Sequence, residues 1–144
     1  MTGYKKVFLD TAPFIYFIEK NEENSLYFDK VKRFLMESYY NDVDMETSVI
    51  TVEEYMVFPY RNNEHKYINL FKKLLGELEI NIIDIDREIA EKAAKIRAEY
   101  KAFKAMDALQ LAAACTVGCD LFLTNDKQLR QFKEIKCITV EDLE

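Results

Sequence analysis

Apolar and polar positions alternate along the chain in two ways. Short unbroken apolar runs are separated by longer segments whose apolar residues recur at helical spacing. Residues 4–9 end in Val7-Phe8-Leu9, a run expected of a strand covered on both faces. Pro13 then places residues 13–19 in a helix with proline in its first turn and Thr11 as the expected N-cap. Residues 20–24 read as a polar loop with Ser25 as a cap, and residues 26–40 as a helix carrying Leu26, Val31, Phe34, Leu35 and Tyr39. A turn at 41–44 leads to a second strand within 45–49. Thr51 and Glu54 have the spacing of a capping box, which predicts a helix starting at Thr51 and ending near Pro59. Further helices are expected over 65–75, from Asp86 to about residue 100, and over 106–117, the last closed by Gly118. Strands are expected at 80–83, 121–123 and 136–139. Helices alternating with short apolar strands imply an α/β fold with a parallel sheet.

A chain of 144 residues, 49% hydrophobic, suits one domain with a core of its own. Three glycines and two prolines leave little material for linkers. With 20 basic and 26 acidic residues the net charge is −6, the wrong sign for a non-specific nucleic-acid binder. That sign is compatible with an acidic metal site flanked by a local basic patch. No apolar run approaches the ~20 residues of a membrane span and no leader pattern opens the chain, so a cytoplasmic location is expected and no membrane partner. Cys115, Cys119 and Cys137 are too few for a zinc site with only His65 to join them, and are read as buried reduced thiols, the first two sharing a helix face.

Four acidic residues stand out by position. Asp10 ends the first strand, Glu54 sits in the first turn after the second, Asp107 opens the alanine-rich helix and Asp126 follows the fourth strand. In a parallel α/β fold these positions share one edge of the sheet, where such folds bind ligands. Each has a purely local explanation: a capping box for Glu54, a favourable helix dipole for Asp107, a turn for Asp126. Gathered together they would repel unless a cation were bound, and all-oxygen ligation suits Mg²⁺ or Mn²⁺. Such an ion supports phosphodiester hydrolysis without a catalytic histidine or cysteine.

The order of these motifs resembles the PIN domain. The residues that carry the likeness are Val7-Phe8-Leu9-Asp10-Thr11, Ser48-Val49-Ile50-Thr51-Val52-Glu53-Glu54, Asp107-Ala108-Leu109-Gln110-Leu111-Ala112-Ala113-Ala114 and Leu123-Thr124-Asn125-Asp126. They span nearly the whole chain, implying a single PIN domain over residues 1–144, and are most similar to the small VapC-type toxins. The resemblance implies a three-layer α/β/α sandwich around a mainly parallel five-stranded sheet. It implies a metal-dependent endoribonuclease using Mg²⁺ or Mn²⁺, the toxin of a toxin–antitoxin pair. Asp10, Glu54, Asp107 and Asp126 would be both the catalytic residues and the metal ligands, with Asp10 and Asp107 central. Thr11, Thr124 and Asn125 would support the site or touch substrate. Ala12 and Pro13 stand where many relatives carry asparagine and an aliphatic residue, and Lys104-Ala105-Met106 where relatives often have a proline.

RNA would be drawn to an acidic protein by local basic residues. Arg97, Lys101 and Lys104 approach Asp107, and Lys127, Arg130 and Lys133 follow Asp126. The aromatic segments 14–17 and 55–60 are either core or, by analogy with the family, a surface for an antitoxin and a homodimer contact. Two other readings compete. Strand-Asp-Thr also opens phosphotransferases with a nucleophilic aspartate, but those need a second aspartate where Ala12 stands. A catalytically inactive PIN-like module that binds RNA or protein is the other.

Overall fold

The computed structural model describes residues 3–144. Its strands are β1 (Lys6–Leu9), β2 (Asp44–Ser48), β3 (Asn81–Ile83), β4 (Leu121–Thr124) and β5 (Lys136–Thr139). The five form one sheet in the order β3-β2-β1-β4-β5, with every neighbouring pair parallel. Six helices connect them: α1 (Thr11–Ile18), α2 (Ser25–Tyr40), α3 (Val49–Arg61), α4 (His65–Glu77), α5 (Arg87–Glu99) and α6 (Ala105–Thr116). Short 3-10 turns follow β4 at Lys127–Gln131 and β5 at Val140–Asp142.

The period of two along β1 and β4 decides the layering. Val7, Leu9, Leu121 and Leu123 point to one side, into a core with Phe14, Val31, Phe34, Leu35, Tyr55 and Phe71 from α1–α4. Phe8 and Phe122 point to the other, against Ile89, Ala93 and Ile96 of α5 and Ala108, Leu111 and Ala112 of α6. Those two phenylalanines are register partners and their rings stack at 5.1 Å. Alanines on α6 let that helix lie close to the sheet. The result is the expected three-layer α/β/α sandwich.

Several helix boundaries differ from the sequence expectation. Asp10, rather than Thr11, is the N-cap of α1, its carboxylate accepting from the Thr11 amide. Asn24 precedes α2 without a side-chain cap bond, so Ser25 is the first helical residue. No capping box opens α3: its N-cap is Ser48, whose hydroxyl accepts from Ile50 N–H, and Thr51 is inside the helix and buried. The same helix continues through Pro59 to Arg61. Cys119 lies beyond the end of α6 and so does not share a helix face with Cys115. All three thiols are free and each is pushed up to about 12, first by burial; Cys119 and Cys137 are buried as expected, whereas Cys115 is only partly buried and its thiol donates to Glu134 Oε2 at 3.3 Å. Gly118 closes α6 with φ +79°, a conformation that costs glycine little.

Candidate active site

Strand order reverses at β1, whose neighbours β2 and β4 connect onward in opposite directions across the sheet. At such a switch point the loops leaving adjacent strands part and open a crevice. A cleft of about 390 Å³ lies there, lined by Asp10, Thr11, Ala12, Glu54, Asp107, Thr124, Asn125, Asp126 and Lys127. All four acidic residues singled out in the sequence therefore meet in one place, each delivered by a different element. Thr11, Thr124 and Asn125 line the same cleft.

The chain holds three of the carboxylates by direct hydrogen bonds. Asp10 Oδ1 accepts from the Thr11 amide at 2.9 Å and from Gln110 Nε2 at 3.3 Å, and its Oδ2 accepts from the Thr124 hydroxyl at 2.8 Å. The Thr11 hydroxyl donates to Glu54 Oε1 at 2.7 Å, tying α1 to α3. Asp126 caps the turn after β4, its Oδ1 accepting from Gln128 N–H at 3.0 Å, while its own amide donates to Thr124 at 3.1 Å. Asp107 stands in the first turn of α6.

Beneath them lies a buried polar network that sequence reasoning missed. Gln110 donates to the Thr51 hydroxyl at 2.8 Å and accepts from Ser48 Oγ, and all three side chains are buried. The signals were present: Gln110 is one turn after Asp107, on the same helix face, and is the single amide in an alanine-rich run. Thr51 precedes Glu54 by the same interval.

Lost hydration, then mutual repulsion, raise Asp10, Glu54 and Asp107 above their usual range. Asp107 is pushed up to about 6, first by desolvation and then by the charges of Asp10, Asp126 and Glu54, with Lys104 opposing. Asp10 is raised by burial against the hydrogen bonds from Thr124, Thr11 and Gln110. Burial raises Glu54 too, opposed by Thr11 and reinforced by Asp10. An oxygen-only donor set with excess negative charge fits a hard divalent cation. Among the described residues no three His, Cys, Asp or Glu side chains are gathered closely enough to hold an ion on their own. Mg²⁺ does not require that, since it commonly keeps several waters and takes one or two carboxylates together with substrate phosphates.

The basic residues divide. Lys127 lines the cleft, and its Nζ sits 3.2 Å from Glu141 Oε2. Arg130, expected to bind RNA, pairs within the chain: its Nη2 donates to Asp142 at 2.8 Å and to Thr139 at 2.9 Å. Arg97 ends α5 while Lys101 and Lys104 lie in the turn before α6, all three exposed. The stripe is thus carried by a helix end and a turn, not by one continuous helix. The aromatic segments split as well. Phe14 and Tyr55 are core, whereas Phe58 and Tyr60 are 61% and 54% exposed. Tyr60 lines an apolar groove on α3 with Val49, Val52, Met56 and Val57.

Sheet order, helical layers and acidic cleft define a three-layer α/β/α protein with a carboxylate site at its topological switch point. The PIN domain profile matches residues 7–135, and the chain belongs to that family. Solved structures share the fold. VapBC2 from Rickettsia felis, bound to a DNA fragment from its promoter, matches with TM-score 0.76 and 16% identity over 93% of this chain and 98% of that one. FitAcB from Neisseria gonorrhoeae matches with TM-score 0.73 and 20% identity, covering 95% and 99% of the two chains. VapC20 from Mycobacterium tuberculosis, a sarcin-ricin loop cleaving toxin, matches with TM-score 0.64 and 15% identity over 90% and 98%. At these identities the likeness is one of fold. Comparison with curated proteins by sequence gave no match.

Proposed function

We propose that the protein is a metal-dependent endoribonuclease, hydrolysing RNA phosphodiester bonds as the toxin of a toxin–antitoxin pair. The observation that carries this reading is the convergence of Asp10, Glu54, Asp107 and Asp126 on one cleft with Asp107 raised to about 6. Membership of the PIN family and the shared fold of VapC20, which cleaves the sarcin-ricin loop, support it. Asp10 and Asp107 would hold Mg²⁺ or Mn²⁺, with Glu54 and Asp126 completing the site directly or through water. When bound, such a cation supplies positive charge for the phosphorane-like transition state and acidifies water near neutral pH. The chain's own part is positional. Thr124 and Gln110 fix the Asp10 carboxylate, and Thr11 fixes Glu54. The crowding of uncompensated carboxylates that raises Asp107 to about 6 is what a bound cation would relieve. Ala12 offers no side-chain hydrogen bond there.

Calorimetric titration of Mn²⁺ into the wild type, Asp10→Asn and Asp107→Asn tests the site without knowledge of the RNA. Binding to the wild type that is weakened in both variants, together with RNA cleavage abolished by EDTA, is the expected outcome. Metal binding without cleavage of any RNA would favour the inactive module. The exposed groove on α3 gives a protein partner somewhere to bind, in line with the toxin–antitoxin complex from Klebsiella pneumoniae that shares the fold. A gel-filtration mass of one chain at micromolar concentration would remove the homodimer from this reading. No helix among the described residues is long and apolar enough to cross a membrane.

A further inference from the structure

Beside the cleft, five side chains close a ring of contacts that the nuclease reading does not use. Asn125 Nδ2 donates to the Tyr16 hydroxyl at 2.7 Å. The Tyr16 and Tyr27 rings meet edge to face, 5.0 Å between centroids. Tyr27 donates to Glu141 Oε1 at 3.3 Å, and Glu141 Oε2 pairs with Lys127 at 3.2 Å. Asn125 and Lys127, which start and end this ring, both line the acidic cleft and are separated only by Asp126. The ring therefore borders the reacting centre, and it is drawn from α1, α2, the loop after β4 and the two 3-10 turns.

Its chemistry is that of a single-stranded nucleic-acid rim. Tyr16 and Tyr27 are half-buried, with their hydroxyls in polar contacts. Both rings pack in part against the core on the α1–α4 side of the sheet and keep the rest of their surface exposed. Bases unstacked from RNA are commonly held on such aromatic faces while a neighbouring cation holds the phosphate. Lys127 is the cation adjoining the cleft. Its present partner is a carboxylate in an exposed pair, 66% and 48% accessible, of a kind that contributes little to stability. A phosphate can displace it at little cost.

We propose that Tyr16 and Tyr27, bordered by Asn125 and Lys127, form a stacking subsite for the nucleobase next to the scissile phosphate, with Glu141 occupying Lys127 until RNA phosphate replaces it. This rests on the endoribonuclease reading.

The test is fluorescence anisotropy with a labelled 2′-O-methyl oligonucleotide of mixed sequence and with an abasic oligonucleotide of the same length. Tyr27→Leu keeps apolar packing but removes the π face, and is expected to weaken binding of the base-containing probe about tenfold. Tyr27→Phe should bind within about twofold of the wild type, and the abasic probe should not distinguish the three proteins. Lys127→Ala should weaken both probes and reduce the salt slope by about 0.7. Glu141→Gln should tighten both. Equal affinity of wild type and Tyr27→Leu for the base-containing probe, or an equal loss on the abasic one, would overturn the subsite. If the wild type still cleaved RNA with Mn²⁺, the nuclease reading would survive that result. A wild type that neither binds nor cleaves RNA would overturn both.

Discussion

Gln110 shows how much one side chain can organise. Its amide meets Ser48, Thr51 and Asp10, so it joins β2, α3, α6 and the end of β1 at a buried point. Gln110→Leu removes the amide and leaves the Ser48 and Thr51 hydroxyls buried without it. A loss of about 1–3 kcal/mol in chemical denaturation is expected. RNA cleavage should fall at the same time, because Asp10 loses a donor. Tyr55 makes the opposite case. Its ring stacks on Phe71 at 4.5 Å, but among the described residues its buried hydroxyl makes no hydrogen bond of good geometry, with the Glu19 carboxylate acting on it from farther off. Tyr55→Phe should raise the melting temperature by about 3 °C, the return of about 1 kcal/mol. Asp107 supplies a pH dependence. Its folded-state pKa of about 6 exceeds the ordinary value of 3.8, so the folded state binds the proton more tightly than the unfolded chain. Stability of the metal-free protein should therefore fall as pH rises from about 4 to about 6 and level off above. Asp10 and Glu54, raised in the same direction, reinforce this trend. Asp107→Asn should flatten part of the slope and stabilise the metal-free protein at pH 7 by about 1 kcal/mol, allowing for screening of a half-exposed group. Melting curves in EDTA from about pH 4 to 8 would show it.

At the level of elements, the strands were legible because Val7-Phe8-Leu9 and Leu121-Phe122-Leu123 are too continuously apolar for a half-solvated sheet. Helix bodies were legible from their spacing of about 3.6 residues. Their starts were less so, since caps depend on which nearby oxygen reaches the free amides. At α3 Ser48 and Thr51 are both good capping residues, and Thr51 is drawn inward to Gln110 while Ser48 takes the cap. Ser48→Ala should accordingly cost about 1–2 kcal/mol, more than Thr51→Ser, which keeps the hydroxyl; equilibrium unfolding would rank them. α3 ends two residues beyond the buried Pro59, at Arg61, close to where the proline was expected to stop it. Of the site, the four acids were legible because strand ends and helix starts share an edge. The network below them and the pairing of Arg130 with Asp142 depend on three-dimensional neighbours that no spacing reveals.

Over the whole molecule, the proposed function sets a net charge of −6 against a polyanionic substrate. The basic residues available are local: Lys104 beside Asp107, Lys127 at the cleft, and Arg97 and Lys101 exposed in the segment that leads to α6. Neutralising Arg97, Lys101 and Lys104 together should lower RNA affinity. The salt slope should fall by up to about 2, at ~0.7 for each phosphate of a single strand that these cations neutralise. An unchanged slope would remove these residues from the RNA path.

Asp10 has a limited number of places at which anything more can attach. A carboxylate offers about four lone-pair sites. Two on Oδ1 are taken by the Thr11 amide and Gln110, and one on Oδ2 by Thr124. One remains, so a newcomer meets Asp10 through a single point on Oδ2. The same count separates two substitutions often treated as equivalent. Asparagine can keep its oxygen toward the two N–H donors and turn its amide to Thr124, whose hydroxyl rotates to accept. Alanine strands all three donors. Asp10→Asn thus removes charge with the scaffold intact, and Asp10→Ala removes the scaffold with the charge.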